Sequence, residues 1–390
     1  MTQSVDAPRS SLWRRLNAGE TTVDFAGRRN RSFVASGVVL LVAVVSLFVQ
    51  GLNLGIDFEG GVVWEVPSAQ LSTDQARSVL DAQGIQASSA KIQTLSSGAD
   101  ERLRIQVGDQ PETVRLSVRT ALAEAAGVTD NDVSVASVSS SWGRSITEKA
   151  VRALVVFFII LSLFIAWRFE WRMAVGAFAA IVHDIVLTVG LYSLFGFEVS
   201  PATVVAFLTI MGYSLYDTIV VYERLRETTD RFASARLAYA DHVNVAMNQV
   251  LFRSINTTVT TLVPVVSMLI IGSQLLGAVA LRDFAVALTV GLVAGTYSSI
   301  FIAAPLVSVL KEREPKYRSL RGDHATGQAL ARLISDGPGA LKHEQVRAAA
   351  GRRGQSSPES SGDPTSSAPR SLDATTVLTH PPRPRKKRRG

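Results

Sequence analysis

Six stretches in which apolar residues run almost unbroken organise this chain: 33–50, 153–167, 173–197, 199–222, 254–272 and 284–310. Most reach or exceed the ~18–20 residues a helix needs to cross a bilayer. The second has 15 residues, and Ala150 and Val151 lengthen it if Arg152 carries its guanidinium up to the interface. A soluble globule has no use for six such runs. The pattern therefore predicts a polytopic α-helical membrane protein with six transmembrane helices. A basic leader of 32 residues precedes the first run, and Gln50-Gly51-Leu52-Asn53 offers no small-x-small cleavage site, so that helix (33–52) is expected to be an uncleaved anchor.

Between the first and second helices the period changes. Val62–Val66 alternates as a strand. Ser72-Thr73-Asp74-Gln75 reads as a capping box opening a helix to about Ala82, with Gly84 as its stop. Lys91–Leu95 and Leu103–Val107 read as strands, Pro111 opens a helix over 111–126 ended by Gly127, and Asp132–Val138 reads as a last strand. The order β-α-β-β-α-β predicts an external ferredoxin-like α/β domain over 53–148. Helices 2–6 then occupy 149–310, with a cytoplasmic loop at about 223–250 in which 232–252 reads as a surface helix. The tail 311–390, rich in Ser, Pro, Gly and Arg after 350, is expected to be disordered.

Charge orients this plan. Arg14, Arg15, Arg28, Arg29 and Arg31 precede the first helix, Arg168 and Arg172 separate the second and third, and Arg224, Arg226, Arg231 and Arg236 follow the fourth. The short loops 196–200 and 272–282 hold only Arg282. The positive-inside rule places both termini in the cytoplasm and 53–148 outside. The overall charge of +7 is uneven: 311–390 has 17 Lys/Arg against 8 Asp/Glu, leaving the rest near neutral. The terminal Arg383–Arg389 cluster suits anionic lipid or RNA as well as a plain solubilising end. The chain has no cysteine, which excludes disulfides, thiolate metal sites and a Cys nucleophile, and its five histidines have no zinc-like spacing.

Candidate chemistry lies in polar residues inside the apolar runs. An ionised Asp at the centre of a membrane helix costs roughly 2.5–3.5 kcal/mol on insertion scales, so it faces a bundle interior, a wet cavity or a partner. Asp217 stands six residues before Glu223, about 9 Å along a helix. Thr209, Tyr213 and Ser214 extend a polar stripe beside it, and Gly212 permits a close helix approach. In 253-RSINTTVTTLVP-264, Arg253, Asn256, Thr257, Thr260, Thr261 and Pro264 share one face. Arg253 is the expected counter-charge to Asp217, the competing reading being an interfacial anchor. His183 and Asp184 sit mid-run in the third helix with Thr188 a turn beyond, either as titratable groups in a hydrated seam or as hydrogen-bonding helix glue. There is no GxxxxGK[ST]; Gly55 to Gly60 lacks the Lys-Ser/Thr. Buried titratable groups without a nucleotide loop point to ion or proton movement rather than ATP hydrolysis.

These motifs in this order resemble one family, the SecF-type protein-export membrane subunits. The matching stretches are 55-GIDFEGG-61, 169-FEWR-172, 182-VHD-184, 212-GYSLYDT-218 with 221-VYER-224, and 253-RSINTT-258, over about residues 30 to 310. Thr258 stands where the family often has Ser, and the tail exceeds the family core. The resemblance implies a six-helix bundle of the resistance-nodulation-division type, pairing with SecD, association with the SecYEG channel, and use of the proton-motive force, with no other cofactor, to move preproteins on the outer face. By motif, Asp217 and Arg253 would form the proton-responsive pair, and His183, Asp184, Asn256 and Thr257 its relay. Gly55–Gly61 would transmit motion to the external domain.

Three other readings compete. A drug or lipid exporter of the same superfamily usually has twelve spans and two large external domains. A membrane enzyme using His183-Asp184 as base and orienter needs a substrate pocket and usually a metal set. A non-catalytic assembly scaffold would tolerate loss of Asp217.

Overall fold

The computed structural model describes residues 12–67, 71–97, 100–272 and 279–338. A short helix α1 (Leu12–Asn17) and an irregular strap lead into α2 (Arg29–Gln50). Then come β1 (Asn53–Leu54), one helical turn α3 (Ile56–Glu59), β2 (Gly61–Pro67), α4 (Thr73–Ala82), β3 (Lys91–Ser97), β4 (Asp100–Val107), α5 (Glu112–Ala126) and β5 (Ser134–Val138). The long helices α6 (Ser140–Arg168) and α7 (Trp171–Phe195) follow, then β6 (Glu198–Val199), α8 (Pro201–Arg231) and α9 (Tyr239–Ile270). The last long rod is composite: α10 (Val279–Ser298), a π-helical turn (Ser299–Ala303) and α11 (Ala304–Lys311). Two short helices, α12 (Pro315–Arg318) and α13 (Gly327–Asp336), end the described chain. Among the described residues six helices are long and apolar enough to span a membrane: α2, α6, α7, α8, α9 and the composite rod.

The bundle is built with its polarity inside out. Val34, Leu41, Val45, Phe48, Val155, Ile159 and Leu163 face outward, where lipid replaces water as solvent. Ser36, Ser46, Ser193, Thr203, Ser214, Thr218, Ser298 and Ser299 are buried between helices. Lipid tails are as apolar as Leu, so helices associate through close packing and hydrogen bonds rather than hydrophobic burial. Small residues allow that approach: Gly291 abuts Ile210 and Gly295 abuts Ser214 where α10 crosses α8, and Gly190 abuts Ala43 where α7 meets α2.

The external domain matches the predicted strand and helix order. Its sheet runs β3-β4-β2-β5, antiparallel throughout, with Trp64 opposite Ile105 on one side and Val135 on the other. Ser72 and Gln75 form the predicted capping box. Val62, Trp64 and Val66 from β2, Leu103 and Ile105 from β4, Leu80 from α4 and Leu122 from α5 make its core, and the Trp64 indole N–H donates to Arg115 O at 3.2 Å.

The joint between sheet and bundle is Gly55–Gly61. Gly60 and Gly61 have φ of +78° and +124°, which side-chain-bearing residues rarely adopt. A Cβ at Gly60 would also run into the Ser140 backbone, and one at Gly61 into the Val107 carbonyl. Gly143 of α6 seats the Phe58 carbonyl, and Thr147 Oγ1 donates to it at 3.3 Å. β1 pairs in parallel with β6, and Arg104 of β4 bridges to Glu198 of β6 at 2.9 Å. The joint thus ties the external domain to α2, α6 and the α7–α8 connection together.

Three boundaries differ from expectation. The loop placed at about 223–250 is short, because α8 continues to Arg231 and α9 begins at Tyr239 as one unbroken helix. The tail does not become irregular at 311: Leu330, Leu333 and Ile334 of α13 pack on Phe232 and Val245. The basic cluster at 383–389 and the disorder expected after 338 lie outside the described residues. The leader, too, is held: Val23 N–H and Ala26 N–H donate to the side-chain oxygens of Asn248 and Asn244, both at 2.9 Å, and Arg29 reaches both oxygens of Glu312 at 3.0 Å. Tyr239–Asn248 is buried beneath this cover, so its mixed composition reflects packing against polar segments rather than exposure at a surface.

Asp24 is central to the strap. Burial opposes its ionisation, but the Gly27 N–H, the Asn244 amide and His324 outweigh that and hold its carboxyl below the usual 3.8. A depressed carboxyl stabilises the fold above its unfolded value and loses that contribution as pH falls through the folded one. Amide exchange over 20–28 should therefore rise below about pH 4. Asp24→Ala should produce the same rise at neutral pH while leaving exchange in the bundle core unchanged.

Candidate functional site

Asp184 and Asp217 stand near the middle of their spans, and the structure treats them differently. Asp184 of α7 is fully buried and saturated. Its Oδ2 accepts from Ser214 of α8 at 2.5 Å and from Ser298 of α10 at 2.8 Å, and its Oδ1 lies 3.1 Å from His183 Nδ1. Its backbone carbonyl accepts from Thr188 at 2.7 Å. The His183 ring also lies against Tyr297, centroids 6.0 Å apart, and Tyr297 meets Ser36 of α2 at 2.9 Å. One carboxylate therefore joins α7, α8 and α10, with α2 attached through the His183–Tyr297 contact.

Asp217 of α8 is under-satisfied. Its Oδ1 accepts from Ser254 of α9 at 2.8 Å, whereas its Oδ2 is buried without a hydrogen-bond partner. It lines a groove of about 550 Å³ between α8, α9 and α10, bordered by Tyr213, Tyr216, Thr257, Gly295 and Thr296. An unpaired buried carboxylate oxygen beside an open groove is where a proton or a further donor binds at least cost.

The pairing expected from sequence is corrected in detail. Arg253 is exposed and forms no ion pair with Asp217. The neighbouring residue Ser254, fully buried, makes the contact instead. Successive residues on a helix point about 100° apart, so a face containing Arg253 cannot also present Ser254. Asn256 and Thr260 share the exposed face; Thr257 reaches the groove, but its hydroxyl bonds the Arg253 and Ser254 carbonyls of its own helix. Neither Asn256 nor Thr257 hydrogen-bonds the His183–Asp184 pair. Tyr213 extends from the α8 stripe to Thr261 at 2.5 Å, and Thr258 meets Thr296 at 2.6 Å.

The residues that sequence reading missed are Ser254, Thr218, Ser298 and Ser299. The signal was present as 296-TYSS-299, four hydroxyl-bearing residues in the last apolar run, and as Gly291-x-x-x-Gly295 just before it. The glycine pair, rather than Gly212, brings α10 against α8; space beside Gly212 is open. At the basic end of the bundle the family-like motifs form ion pairs: Arg168 to Glu223 at 2.6 Å, Arg172 to Glu314 at 2.5 Å, and Lys311 to Glu170.

Comparison with known proteins gives a consistent result. The family described as "Protein export membrane protein SecD/SecF, C-terminal" matches residues 118–313, and the "SecD/SecF GG Motif" matches 45–70. The chain is 41% identical over 341 residues to the protein translocase subunit SecF of Streptomyces coelicolor, covering 87% of this chain and 88% of that one. It is 38% identical to the SecF subunit of Mycobacterium tuberculosis, covering 79% and 72%. The crystal structure of SecDF, a translocon-associated membrane protein from Thermus thermophilus, superposes with a TM-score of 0.67 at 32% identity. That match covers 76% of this chain and 39% of the SecDF chain, so this chain spans about two fifths of that protein.

The Asp184 node is testable through stability. Ser214→Ala removes one of two hydroxyl donors from a buried carboxylate and should cost about 1.5–3 kcal/mol, the worth of a hydrogen bond to a charged group. Thermal unfolding in detergent should show the loss. The same substitution at exposed Thr209, whose hydroxyl bonds only its own helix, should be near neutral.

Proposed function

The chain belongs to the SecD/SecF family of protein-export membrane proteins, on its SecF side, and from that premise we propose that it uses the proton-motive force to promote preprotein movement and release on the outer face of the membrane. It is a multi-pass membrane protein of the Sec machinery. The observation that carries the proposal is the unpaired, buried Oδ2 of Asp217 beside the groove between α8, α9 and α10. A carboxylate held by one donor has room to take and lose a proton, and taking one removes the charge whose burial is costly. Arg253, next to Ser254 on α9, biases that exchange without pinning it.

A SecD-type partner fits the open side. Tyr213, Tyr216, Arg253, Asn256 and Thr260 face outward on α8 and α9, and lipid offers no partner to the Arg253 and Asn256 side chains. A second bundle laid on this face would cover them and close the groove. Movement there has a route to the external domain, because α8 begins at the α7–α8 connection that pairs with the Gly55–Gly61 joint. In this reading the termini are cytoplasmic, residues 53–148 lie outside, the SecYEG channel and its preprotein are the further partners, and the proton gradient is the only cofactor. His183 and Asp184 hold the bundle: with both Asp184 oxygens occupied, that pair suits a fixed node better than a relay.

The test is export into vesicles containing this chain, its SecD partner, the channel and the cytoplasmic ATPase, with and without a proton gradient. Asp217→Asn should assemble normally and lose the gradient-dependent part of export, leaving the ATP-driven part. Arg253→Ala should lower that part less. Full gradient response in Asp217→Asn would leave the scaffold reading in possession.

A further inference from the structure

Tyr297, Ser298 and Ser299 are consecutive, yet each engages a different helix. Tyr297 meets Ser36 of α2 at 2.9 Å, Ser298 donates to Asp184 of α7 at 2.8 Å, and Ser299 meets Thr218 of α8 at 2.9 Å. Ser298 and Ser299 are both fully buried, although neighbouring side chains on an α-helix diverge by about 100°. The π-helical turn begins at Ser299, and single π-turns inside α-helices recur at functional positions.

The Ser299 hydroxyl has one proton to give. Thr218 donates its own proton to the Ser214 carbonyl at 3.0 Å, which leaves the Thr218 oxygen as an acceptor for Ser299. The Ser214 carbonyl itself is 3.4 Å from Ser299. A third acceptor belongs to the residue next to Thr218: the bare, buried Oδ2 of Asp217. Ser254 occupies Oδ1, and no bond from Ser299 to Oδ2 is formed.

We infer that Ser299 is a two-position donor, turned toward Thr218 when Asp217 is protonated and toward Asp217 Oδ2 when it is ionised. Ser299 is thus a positioning residue for Asp217, and its rotation reports the charge on α8 to the π-turn of the last span. The inference rests on the proton-coupled reading above. No covalent bond changes in the rotation; the proton that Asp217 exchanges enters and leaves by the groove. The hydroxyl path toward Asp184 is broken at the Ser214 carbonyl, which accepts a hydrogen bond but has no proton to pass on. The two carboxylates are therefore coupled by position, through adjacent residues of one helix, and not by a proton wire. The charged or titratable groups around Asp217 are Arg253 on α9, Tyr213 and Tyr216 on its own helix, and His183–Asp184 on α7 beyond Ser214; the rod carrying Ser299 presents hydroxyls.

The experiment uses the full chain with its SecD partner in lipid vesicles. The Asp217 carboxyl is followed by its infrared band, assigned by its loss in Asp217→Asn, across a pH titration. Ser299→Ala should raise the apparent pKa of that band by about one to two units, because a donor to the charged form is lost. Ser299→Thr, which keeps the hydroxyl, should restore the wild-type value. The pH profile of gradient-driven export should move with the band. An unmoved band in Ser299→Ala overturns the inference, as does Ser299→Thr behaving like Ser299→Ala while melting like wild type. The band is read without export, so the outcome is separable from the function: undiminished gradient response in Asp217→Asn defeats the proton-coupled reading, whereas an unmoved band defeats only the role of Ser299.

Discussion

Three helices of this bundle share one carboxylate. Asp184 is fully buried, and it persists because Ser214 and Ser298 point donors at it from two other helices while His183 stands on its remaining oxygen. Hydrophobic burial gives little reason for one transmembrane helix to prefer another, so a saturated polar node of this kind, with the glycine contacts beside it, fixes the register of α7, α8 and α10. The groove, the exposed polar face and the π-turn all take their positions from that register.

The second carboxylate gains its meaning by contrast. Asp217 lies on the same helix as Ser214, less than one turn further along, yet it has a single hydroxyl donor and a bare oxygen. A fixed node and a movable one separated by so short a distance make a sensible division of labour. The Gly55–Gly61 joint continues this logic outside the membrane. Its two glycines take conformations and contacts closed to other residues, and its flanks connect to α2, α6 and the α7–α8 connection.

Much of this was legible along the chain. The six spans were visible as apolar runs, and the external domain's strand and helix order was visible because alternation, capping and terminal glycines all agreed. Asp217, His183 and Asp184 stood out because a charge in an apolar run is expensive. The partner of Asp217 was not legible. Arg253 and Ser254 are adjacent, and the choice between them depends on the rotation of α9 about its axis, which other helices set. Ser298 and Ser299 were hidden for a related reason: serine in a membrane helix is common and cheap, so composition does not separate a packing serine from one that holds a carboxylate. The fold of the segment after 311 was missed because its apolar residues are few, and their worth lies in the exposed faces of α8 and α9 that they cover.

The sequence by itself determined that this chain crosses the membrane six times, carries one α/β domain between its first two spans, and buries carboxylates in the third and fourth. Those properties follow from transfer free energy and local backbone preference, which each segment expresses alone. Only the tertiary structure decided which carboxylate is saturated and which is bare, that Ser254 rather than Arg253 touches Asp217, and that Tyr297, Ser298 and Ser299 each engage a different helix. Those outcomes depend on helix rotation and register, which no segment fixes alone; they arise when several helices must satisfy the same few polar atoms at once.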